Sequence, residues 1–310
     1  MIHIYFAAKD VRWDEYEAPL RKALDETGLS YSLSDKCDDP SIIDYIVYAP
    51  NGPLKDFSPF SRAKAVLNLW AGVEDIVGNP TLKIPLARMV DSGLSEGMVE
   101  WVTGHVLRYH LGMDQHIHGQ DGIWRNYVPP LARNRTVGIL GLGALGQACG
   151  EALSALNFNV LGWSKSKKQL DGIACHCSEE GLKTVLQSSE ILVLLLPKTP
   201  ETGNILDAET LALMPKGAKI INPGRGPLID DDALLAALDS GQISHATLDV
   251  FRVEPLPAEH PFWAHPNVTV TPHIASETRS DTASQVIAEN VRRGEAGLPY
   301  LHLVDRNSGY

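Results

Sequence analysis

A glycine-rich segment near the middle of the chain constrains the fold most. Val137 to Leu140 are apolar residues typical of a buried strand, and Gly141-x-Gly143-x-x-Gly146 follows them directly. A helical run from Ala148 to Leu156 and a second strand from Asn159 to Trp163 come next. Three glycines at this spacing, between a strand and a helix, are typical of a dinucleotide-binding site.

Each glycine has a physical role in such a turn. Gly141 allows the tight turn, Gly143 lets a pyrophosphate approach the backbone, and Gly146 lets the helix pack close to the strand. The free N–H groups at the start of the helix, at Ala144 and Leu145, then face the phosphates. The alternative is a glycine-rich turn that binds no ligand.

Composition narrows the class of protein. The 310 residues suffice for two domains, and the net charge of −11 argues against general nucleic-acid binding. Four scattered cysteines lack a disulfide framework, which favours free thiols in the reducing cytoplasm. Met1 to Ala8 is too short and too poor in basic residues for a signal peptide, and no apolar run reaches transmembrane length. Local positive groups would have to attract any anionic substrate.

Alternating strands and helices predict two parallel α/β units. The first unit begins with a strand over 2–7 and a helix over 13–26, and further short strands follow. A long helix over 97–112 precedes the second unit. The predicted short strands of the first unit are 45–49 and 65–70, and the later strands of the second are 191–196, 218–222, 245–250 and 268–271.

The tip of the strand that ends at Trp163 indicates which nicotinamide cofactor is bound. An acidic residue about 20 residues after the glycines would bind the ribose 2′-hydroxyl of NAD. Here the tip instead carries Ser164, Lys165, Ser166, Lys167 and Lys168. Because lysines and hydroxyls attract a 2′-phosphate, the sequence predicts NADP(H) over NAD(H). A solvated basic turn is the alternative interpretation.

Three residues end successive segments at the predicted carboxyl edge of the sheet. Arg225 can bind a planar carboxylate through two hydrogen bonds. His273 can protonate a carbonyl oxygen as hydride reaches its carbon, and Glu254 can orient the imidazole and favour its charged form. Taken singly, each is open to another interpretation, as a surface charge, a turn residue or a loop histidine. Together they predict a site for carbonyl reduction.

Two further features concern ligands. Trp70, Ala71 and Gly72 follow a predicted strand, where backbone N–H groups can bind a carboxylate; an ordinary glycine turn is the alternative. Leu196 and Pro197 end another strand at the cofactor edge. The Cys175-His176-Cys177 sequence is extended, so its neighbouring side chains point to opposite faces, and no metal site is predicted.

The chain resembles the D-isomer-specific 2-hydroxyacid dehydrogenase family over nearly its whole length. The motifs that carry this resemblance are Gly141-x-Gly-x-x-Gly146, Ile221-Asn-Pro-Gly-Arg-Gly226, Leu248-Asp-Val-Phe-Arg-Val-Glu-Pro-Leu-Pro257 and Thr271-Pro-His-Ile-Ala-Ser276. The resemblance implies α/β architecture with two Rossmann-like domains. A doubly wound cofactor domain, 94–276, is inserted into a smaller flavodoxin-like substrate domain, 1–93 with 277–310.

The resemblance also implies functional roles. Arg225 would bind the substrate carboxylate and keto oxygen, Glu254 would be the partner of His273, and His273 the acid and base. Asp249 would lie near the nicotinamide carboxamide and Pro223 beside the cofactor, while Trp70, Ala71 and Gly72 would form the substrate loop.

One bacterial branch of the family is closer still. Its similarity rests on Trp163-Ser-Lys-Ser-Lys-Lys168 and on the tail Val304-Asp-Arg-Asn-Ser-Gly-Tyr310. It implies an NADPH-preferring reductase of short 2-keto acids, glyoxylate and hydroxypyruvate, with NADH as the weaker cofactor. It also implies a homodimer built through residues 98–130, where Trp124 is a candidate contact. Charge and the lack of a long apolar run separately argue against nucleic-acid and membrane partners.

Other functions stay open at this point. The substrate could be a bulkier 2-keto acid, such as phenylpyruvate. Some relatives of this fold are NAD(H)-binding regulatory modules with little turnover, and such relatives can retain Arg225, Glu254 and His273. A metal-dependent dehydrogenase would need a ligand cluster that the sequence does not contain.

Overall fold

The computed structural model describes residues 1–306 and divides into two compact units. One consists of Met1–Leu94 and Glu277–Tyr310, of which residues 307–310 lie outside the described part, as does the end of the tail motif that begins at Val304. The other is Ser95–Ser276. The second unit is therefore inserted into the first. The first boundary falls one residue later than the sequence suggested.

The smaller unit contains a five-stranded parallel sheet. Its spatial order is β2-β1-β3-β4-β5, the order typical of flavodoxin-like sheets. The strands are β1 (Ile2–Ala7), β2 (Tyr31–Ser34), β3 (Tyr45–Tyr48), β4 (Ala65–Asn68) and β5 (Leu86–Ala87), and the helices are α1 (Asp10–Glu26), α2 (Glu74–Val77) and, from the end of the chain, α9 (Ser280–Glu295).

Packing on both faces explains the composition of this sheet. All residues of β3 and β4 are buried, as expected for parallel strands covered on both sides. On one face, Leu20 and Leu24 of α1 pack in the same core as Ile287 and Val291 of α9. Full burial of a Leu or Ile side chain contributes roughly 1.5–3 kcal/mol, so this helix pair is a main source of stability in the unit.

The larger unit contains a seven-stranded parallel sheet in the order β12-β11-β10-β9-β6-β7-β8. The helix α3 (Ser92–Leu111) crosses the boundary between the units in sequence. The strands are β6 (Thr136–Leu140), β7 (Asn159–Trp163), β8 (Ile173–His176), β9 (Ile191–Leu194), β10 (Ala218–Asn222), β11 (Ile243–Leu248) and β12 (Val268–Val270), and the helices are α4 (Met113–Ile117), α5 (Ala144–Ala155), α6 (Ser178–Ser188), α7 (Ala208–Leu213) and α8 (Asp231–Asp239).

This strand order fixes where a ligand can bind. The chain proceeds outward from β6 through β7 to β8, then returns to β9 on the other side of β6. The reversal creates a switch point between β6 and β9, and ligands bind at the carboxyl ends of strands at such points. The doubly wound architecture expected from the sequence is confirmed, and both β6 and β9 are buried at this position.

The structure also corrects several predicted elements. The strands β2, β5 and β8 and the helix α6 have no predicted counterpart, so Tyr45–Tyr48 is the third strand and not the second. β2 and β8 lie at sheet edges, where half-exposed residues give no continuous apolar run. Helix α3 begins at Ser92, five residues before the predicted start, because its first turn lacks an apolar pattern. In residues 1–306, no helix is long and apolar enough to span a membrane.

Candidate active site

The glycine turn after β6 has the geometry of a phosphate-binding loop. Gly141 has a φ of 106°, and a Cβ on Gly146 would lie 1.8 Å from the carbonyl oxygen of Gly141, so the chain itself requires both glycines. Gly143 differs, because a Cβ there would meet nothing within 4 Å. Packing of the protein therefore does not explain why residue 143 is a glycine, whereas the approach of a ligand would.

The start of α5 supports the same interpretation. Gly143 is the N-cap residue, no side chain among the described residues caps the helix, and its first turn contains no acidic residue. Uncapped N–H groups and the positive end of the helix dipole favour an anion at this position. The residues present therefore fit a dinucleotide, with Ala144 and Leu145 in the first turn of the helix.

The basic turn after β7 is presented to solvent. The Lys165 side chain is 75% exposed, and its ammonium lies 3.6 Å from a Glu201 carboxylate oxygen. Ser166, Lys167 and Lys168 are exposed as well. These groups are available to a phosphate.

Two predicted cofactor residues beside the basic turn are engaged within the protein. Ser164 is buried, and its hydroxyl donates to the Ser166 carbonyl at 2.8 Å, while the Trp163 indole donates to the Ser178 carbonyl at 2.8 Å. These two residues support the turn through internal hydrogen bonds. Direct contact of either with a cofactor stays a prediction.

The loop after β10 is held by a buried asparagine. The Asn222 side chain donates to the Arg225 carbonyl at 3.0 Å and accepts from the Gly224 N–H at 3.1 Å. Pro223 is buried, and the Arg225 guanidinium donates to the Gly224 carbonyl at 2.7 Å. Asn222 thus fixes the backbone from which the Arg225 side chain extends.

Asp249 holds the next loop in the same way. Its carboxylate has no exposed surface and accepts from the Thr271 hydroxyl at 2.6 Å and from the Ile274 and Ala275 N–H groups at 2.8 and 2.9 Å. Three donors to one buried carboxylate are a strong anchor. The expected contact of Asp249 with the nicotinamide stays a prediction, and its role in the described residues is to fix the loop that carries His273.

His273 and Glu254 form a pair. The distance from His273 Nδ1 to a Glu254 carboxylate oxygen is 2.7 Å, and the other carboxylate oxygen accepts from the Phe251 N–H at 2.8 Å. Because an ionised carboxylate only accepts, Nδ1 carries the proton that it donates, and Nε2 is left for another partner. The His273 side chain is 53% exposed, so Nε2 is on an accessible ring.

The backbone of His273 is unusual. Its φ of 55° lies in the left-handed region, which residues other than glycine rarely adopt. The His273 N–H donates to the Asp249 carbonyl at 2.9 Å, which helps to hold this conformation. Strained backbone of this kind concentrates at functional sites, where the surrounding structure maintains it.

The predicted substrate loop of the smaller unit follows β4. The buried Asn68 side chain donates to the Trp70 carbonyl at 2.8 Å and to the Gly72 carbonyl at 2.9 Å. Trp70, Ala71 and Gly72 are half-buried. Asn68 therefore fixes the carbonyl oxygens on each side of Ala71 and sets the shape of the loop.

Sequence reasoning did not single out Asn68 or Asn222. A usable signal was present, since each is a polar residue that ends a mostly apolar strand shortly before a predicted site residue. Leu196 is buried and Pro197 half-buried, with its carbonyl accepting from the Thr202 hydroxyl. In the described part of the chain, no group of three or more histidine, cysteine or acidic residues could hold a metal ion.

Comparison with known proteins agrees with this fold. Residues 104–275 match the family described as D-isomer specific 2-hydroxyacid dehydrogenase, NAD binding domain. A protein of Serratia proteamaculans named glyoxylate/hydroxypyruvate reductase A is 42% identical over 257 residues, which cover 80% of this chain and 82% of that protein.

Solved structures extend the match to the whole chain. A D-isomer specific 2-hydroxyacid dehydrogenase from Xanthobacter autotrophicus Py2, in complex with NADPH and MES, has a TM-score of 0.91 at 40% identity, covering 100% of this chain and 99% of that one. An NADPH-dependent glyoxylate/hydroxypyruvate reductase from Sinorhizobium meliloti, with NADP and sulfate, has a TM-score of 0.88 at 34% identity and covers 100% of both chains.

The fold and site define an NAD(P)-dependent oxidoreductase. More specifically, the chain belongs to the D-isomer specific 2-hydroxyacid dehydrogenase family. The family membership expected from the motifs is thereby confirmed.

Proposed function

We propose that the chain is an NADPH-preferring reductase of short 2-keto acids, which converts glyoxylate to glycolate and hydroxypyruvate to D-glycerate. The observation that carries the proposal is the 2.7 Å contact between His273 and Glu254 at the carboxyl edge of the larger sheet. The names of relatives at 42% and 34% identity, both glyoxylate/hydroxypyruvate reductases, support the choice of substrates.

In this mechanism His273 is the acid. Glu254 accepts a hydrogen bond from Nδ1–H and orients the ring, and the charged imidazolium donates its Nε2 proton to the keto oxygen as this oxygen becomes a hydroxyl. Arg225 would bind the substrate carboxylate, and the loop of Trp70, Ala71 and Gly72 in the smaller unit stays a predicted substrate contact. A bound NADPH supplies the hydride.

The proposed contacts with the cofactor are based on the glycine turn and the basic turn. The N–H groups of Gly143 to Leu145 would bind the pyrophosphate, and Lys165, Ser166 and Lys167 the 2′-phosphate. Trp163, Ser164, Leu196, Pro197, Pro223 and Asp249 would line the remaining cofactor surface. The absence of an acidic residue at the β7 tip supports NADPH over NADH, because a carboxylate there would repel the 2′-phosphate.

The test is a grid of initial rates. NADPH and NADH are each combined with glyoxylate, hydroxypyruvate, pyruvate and phenylpyruvate, and oxidation of the cofactor is followed by absorbance. Fast oxidation of NADPH with the two short acids is expected. Preference for phenylpyruvate would replace the substrate assignment, and tight cofactor binding without turnover would indicate a regulatory module.

The assignment of the basic turn has its own test. Lys165→Asp should raise the KM for NADPH at least about tenfold while changing the KM for NADH little, because the lost charge contacts only the 2′-phosphate. Lys183→Asp is the matched control, since Lys183 is an exposed lysine of the same unit that pairs with Glu180. An unchanged NADPH preference in Lys165→Asp would remove Lys165 from the cofactor site.

We also propose a cytoplasmic homodimer built through residues 98–130. This segment exposes large apolar side chains, including Trp124, which is 95% exposed, and Val128, which is 79% exposed. Exposed apolar clusters mark interaction surfaces. Light scattering should give twice the mass of the chain, and Trp124→Asp with Val128→Asp should shift it toward the monomer. A monomeric wild-type protein would contradict the proposal.

A further inference from the structure

A cavity lies at the opposite edge of the larger sheet, away from the glycine turn and His273. Its volume is about 380 Å³, and its walls include Arg108, Asp114, Tyr127, Arg135, Lys219 and His245. All of them belong to the larger unit. Arg135 directly precedes β6, Lys219 is the second residue of β10 and His245 the third residue of β11, so the cavity lies at the amino ends of these strands.

The cavity carries more positive than negative charge. Arg108, Arg135 and Lys219 line it, and Asp114 is the one carboxylate among its described lining residues. Asp114 pairs with Arg108 at 2.7 Å, and Glu190, outside the lining, pairs with Arg135 at 2.6 Å. Lys219 has no carboxylate within 4.0 Å among residues 1–306, and its ammonium makes only a long 3.5 Å contact with the Gly217 carbonyl.

The position of Lys219 in the sheet is unexpected for a lysine. It is paired in register with Ile191 of β9, which is itself paired with Val137 of β6, and both are fully buried. A lysine at this register position, in line with two fully buried residues, loses hydration without gaining an ion pair. Burial lowers the pKa of the Lys219 ammonium, the neighbouring Arg135 lowers it further, and the charge of Glu190 partly opposes them. A bound anion would offset the two lowering effects.

Arg135 has an unused donor as well. Its Nε is buried and has no hydrogen-bond partner within the described part of the chain, although the guanidinium end pairs with Glu190. Buried polar groups are normally hydrogen-bonded, and each exception calls for an explanation. The unused donor directly precedes strand β6 and the unpaired ammonium is on strand β10. One strand separates β6 from β10, so the two strands lie roughly 10 Å apart at the usual strand spacing.

We propose that this cavity binds the phosphate or carboxylate group of a small organic anion, at a site separate from the cofactor and the keto acid. Lys219 and Arg135 would bind the oxyanion, and Tyr127 with His245 would contact the rest of the molecule. The volume lies within the range of roughly 300–1,000 Å³ that is usual for small-molecule sites. Because six of the ten lining residues belong to residues 98–130, the bound anion would lie against the segment of the proposed dimer.

Isothermal titration of the NADPH-saturated protein tests the site. Inorganic phosphate is one probe and malonate the other, and the stronger of the two identifies the preferred group. The variant is Lys219→Gln, which retains length and polarity and removes the charge. The matched control is Lys216→Gln, which removes the charge of an exposed lysine near the same edge but outside the cavity.

The expected result is that Lys219→Gln weakens binding of the preferred probe roughly tenfold or more, while Lys216→Gln binds it like the wild type. NADPH affinity should be equal in all three proteins, which verifies that the variants are folded. Binding of equal strength in all three would locate the anion elsewhere and overturn the proposal. Absence of binding to the wild type would overturn it too.

Discussion

The carboxyl ends of the strands form one edge of the seven-stranded sheet, and the amino ends form the other. Buried polar residues have different partners at the carboxyl edge and at the amino edge. At the carboxyl edge, Asn222 and Asp249 are buried and bind the backbone of the following loops. At the amino edge, Lys219 is half-buried without a carboxylate, and Arg135 Nε is buried without a partner within the described residues. At the carboxyl edge, the buried polar groups hold the backbone of the loops. At the amino edge, they remain available to a group that the described part of the chain does not supply.

The histidines at the two edges differ accordingly. His273 is more than half exposed and contacts the carboxylate of Glu254. His245 is half-buried, and burial together with the positive charge of Arg108 lowers its pKa to about 4. An imidazole beside a carboxylate can hold and release a proton, whereas one beside a cation is kept neutral. The proposed proton donor and a histidine that its surroundings keep neutral thus lie at opposite edges of the sheet.

Among the tests of this comparison, removal of the exposed histidine, His273, has the largest expected effect. His273→Ala should lower kcat by about 10²–10⁴, or roughly 3–5 kcal/mol of barrier, because the proposed general acid is removed. His245→Gln is the control at the other edge and should leave kcat within about twofold. The measurement is kcat with saturating NADPH and glyoxylate. Near-normal turnover of His273→Ala would remove it from the mechanism.

A second test concerns the buried anchor of the His273 loop. Asp249→Asn should cost about 2–4 kcal/mol of unfolding free energy, because an amide group would face N–H groups that now bind a carboxylate. It should also lower kcat, since the loop would shift. Asp44→Asn is the control: Asp44 is equally buried, in the smaller unit, and accepts from the His3 N–H and from Arg62.

Chemical denaturation measures the contribution of Asp249 to stability, and kcat measures its contribution to turnover. Both aspartate variants should lose stability, but only Asp249→Asn should lose turnover under conditions where the protein is folded. A similar loss of kcat in both variants would mean that turnover follows general stability, and Asp249 would have no special connection to His273.

The carboxyl edge could be predicted from sequence because its signals are local. The glycine turn, the Arg225 loop and the His273 loop each extend over a few consecutive residues that directly follow a strand. Parallel topology then brings these strand ends together without any knowledge of side-chain contacts. The contacts themselves could not be predicted, since the bonds from Asp249 to Ile274 and Ala275 join residues 25 and 26 positions apart.

The amino edge could not be predicted for the same reason. Arg108, Arg135, Lys219 and His245 are spread over 138 residues and share no motif. Lys219 alone had a local signal, as a charge within the apolar strand Ala218–Asn222. A single lysine near the end of a strand is usually solvated, so its significance depends on the neighbouring strands, which only the structure supplies.

The smaller sheet offers a third test at its own carboxyl edge. Asn68→Ala removes both donors to the Trp70–Gly72 loop, so we expect the KM for glyoxylate to rise roughly five- to tenfold with an unchanged Kd for NADPH. Asn79→Ala is the control, because Asn79 also holds a loop of this unit through its side chain, at Lys55. If both variants lose stability but neither changes KM, Asn68 has only a structural role.

The smallest effect concerns the pH dependence of stability at the amino edge. The folded pKa of His245, about 4, lies below its ordinary 6.5, so the unfolded chain takes up the proton first as pH falls. The stability contributed by the neutral ring is therefore complete above about pH 6.5 and is lost progressively toward pH 4. Arg108 and Lys219 oppose protonation, Asp114 favours it, and His265 also opposes it when charged.

His245→Gln isolates this contribution, since glutamine can still donate to the Thr269 hydroxyl that lies 2.9 Å from the ring. Between pH 7 and pH 5, the unfolding free energy of the variant should fall by on the order of 1 kcal/mol less than that of the wild type, a value discounted for partial exposure. His116→Gln, at an exposed histidine of the same unit, should follow the wild type. Parallel pH profiles for the wild type and both variants would mean that the ring at the amino edge titrates much as in the unfolded chain. The surroundings of His245 would then not keep its ring neutral, and this contrast between the two edges would be lost.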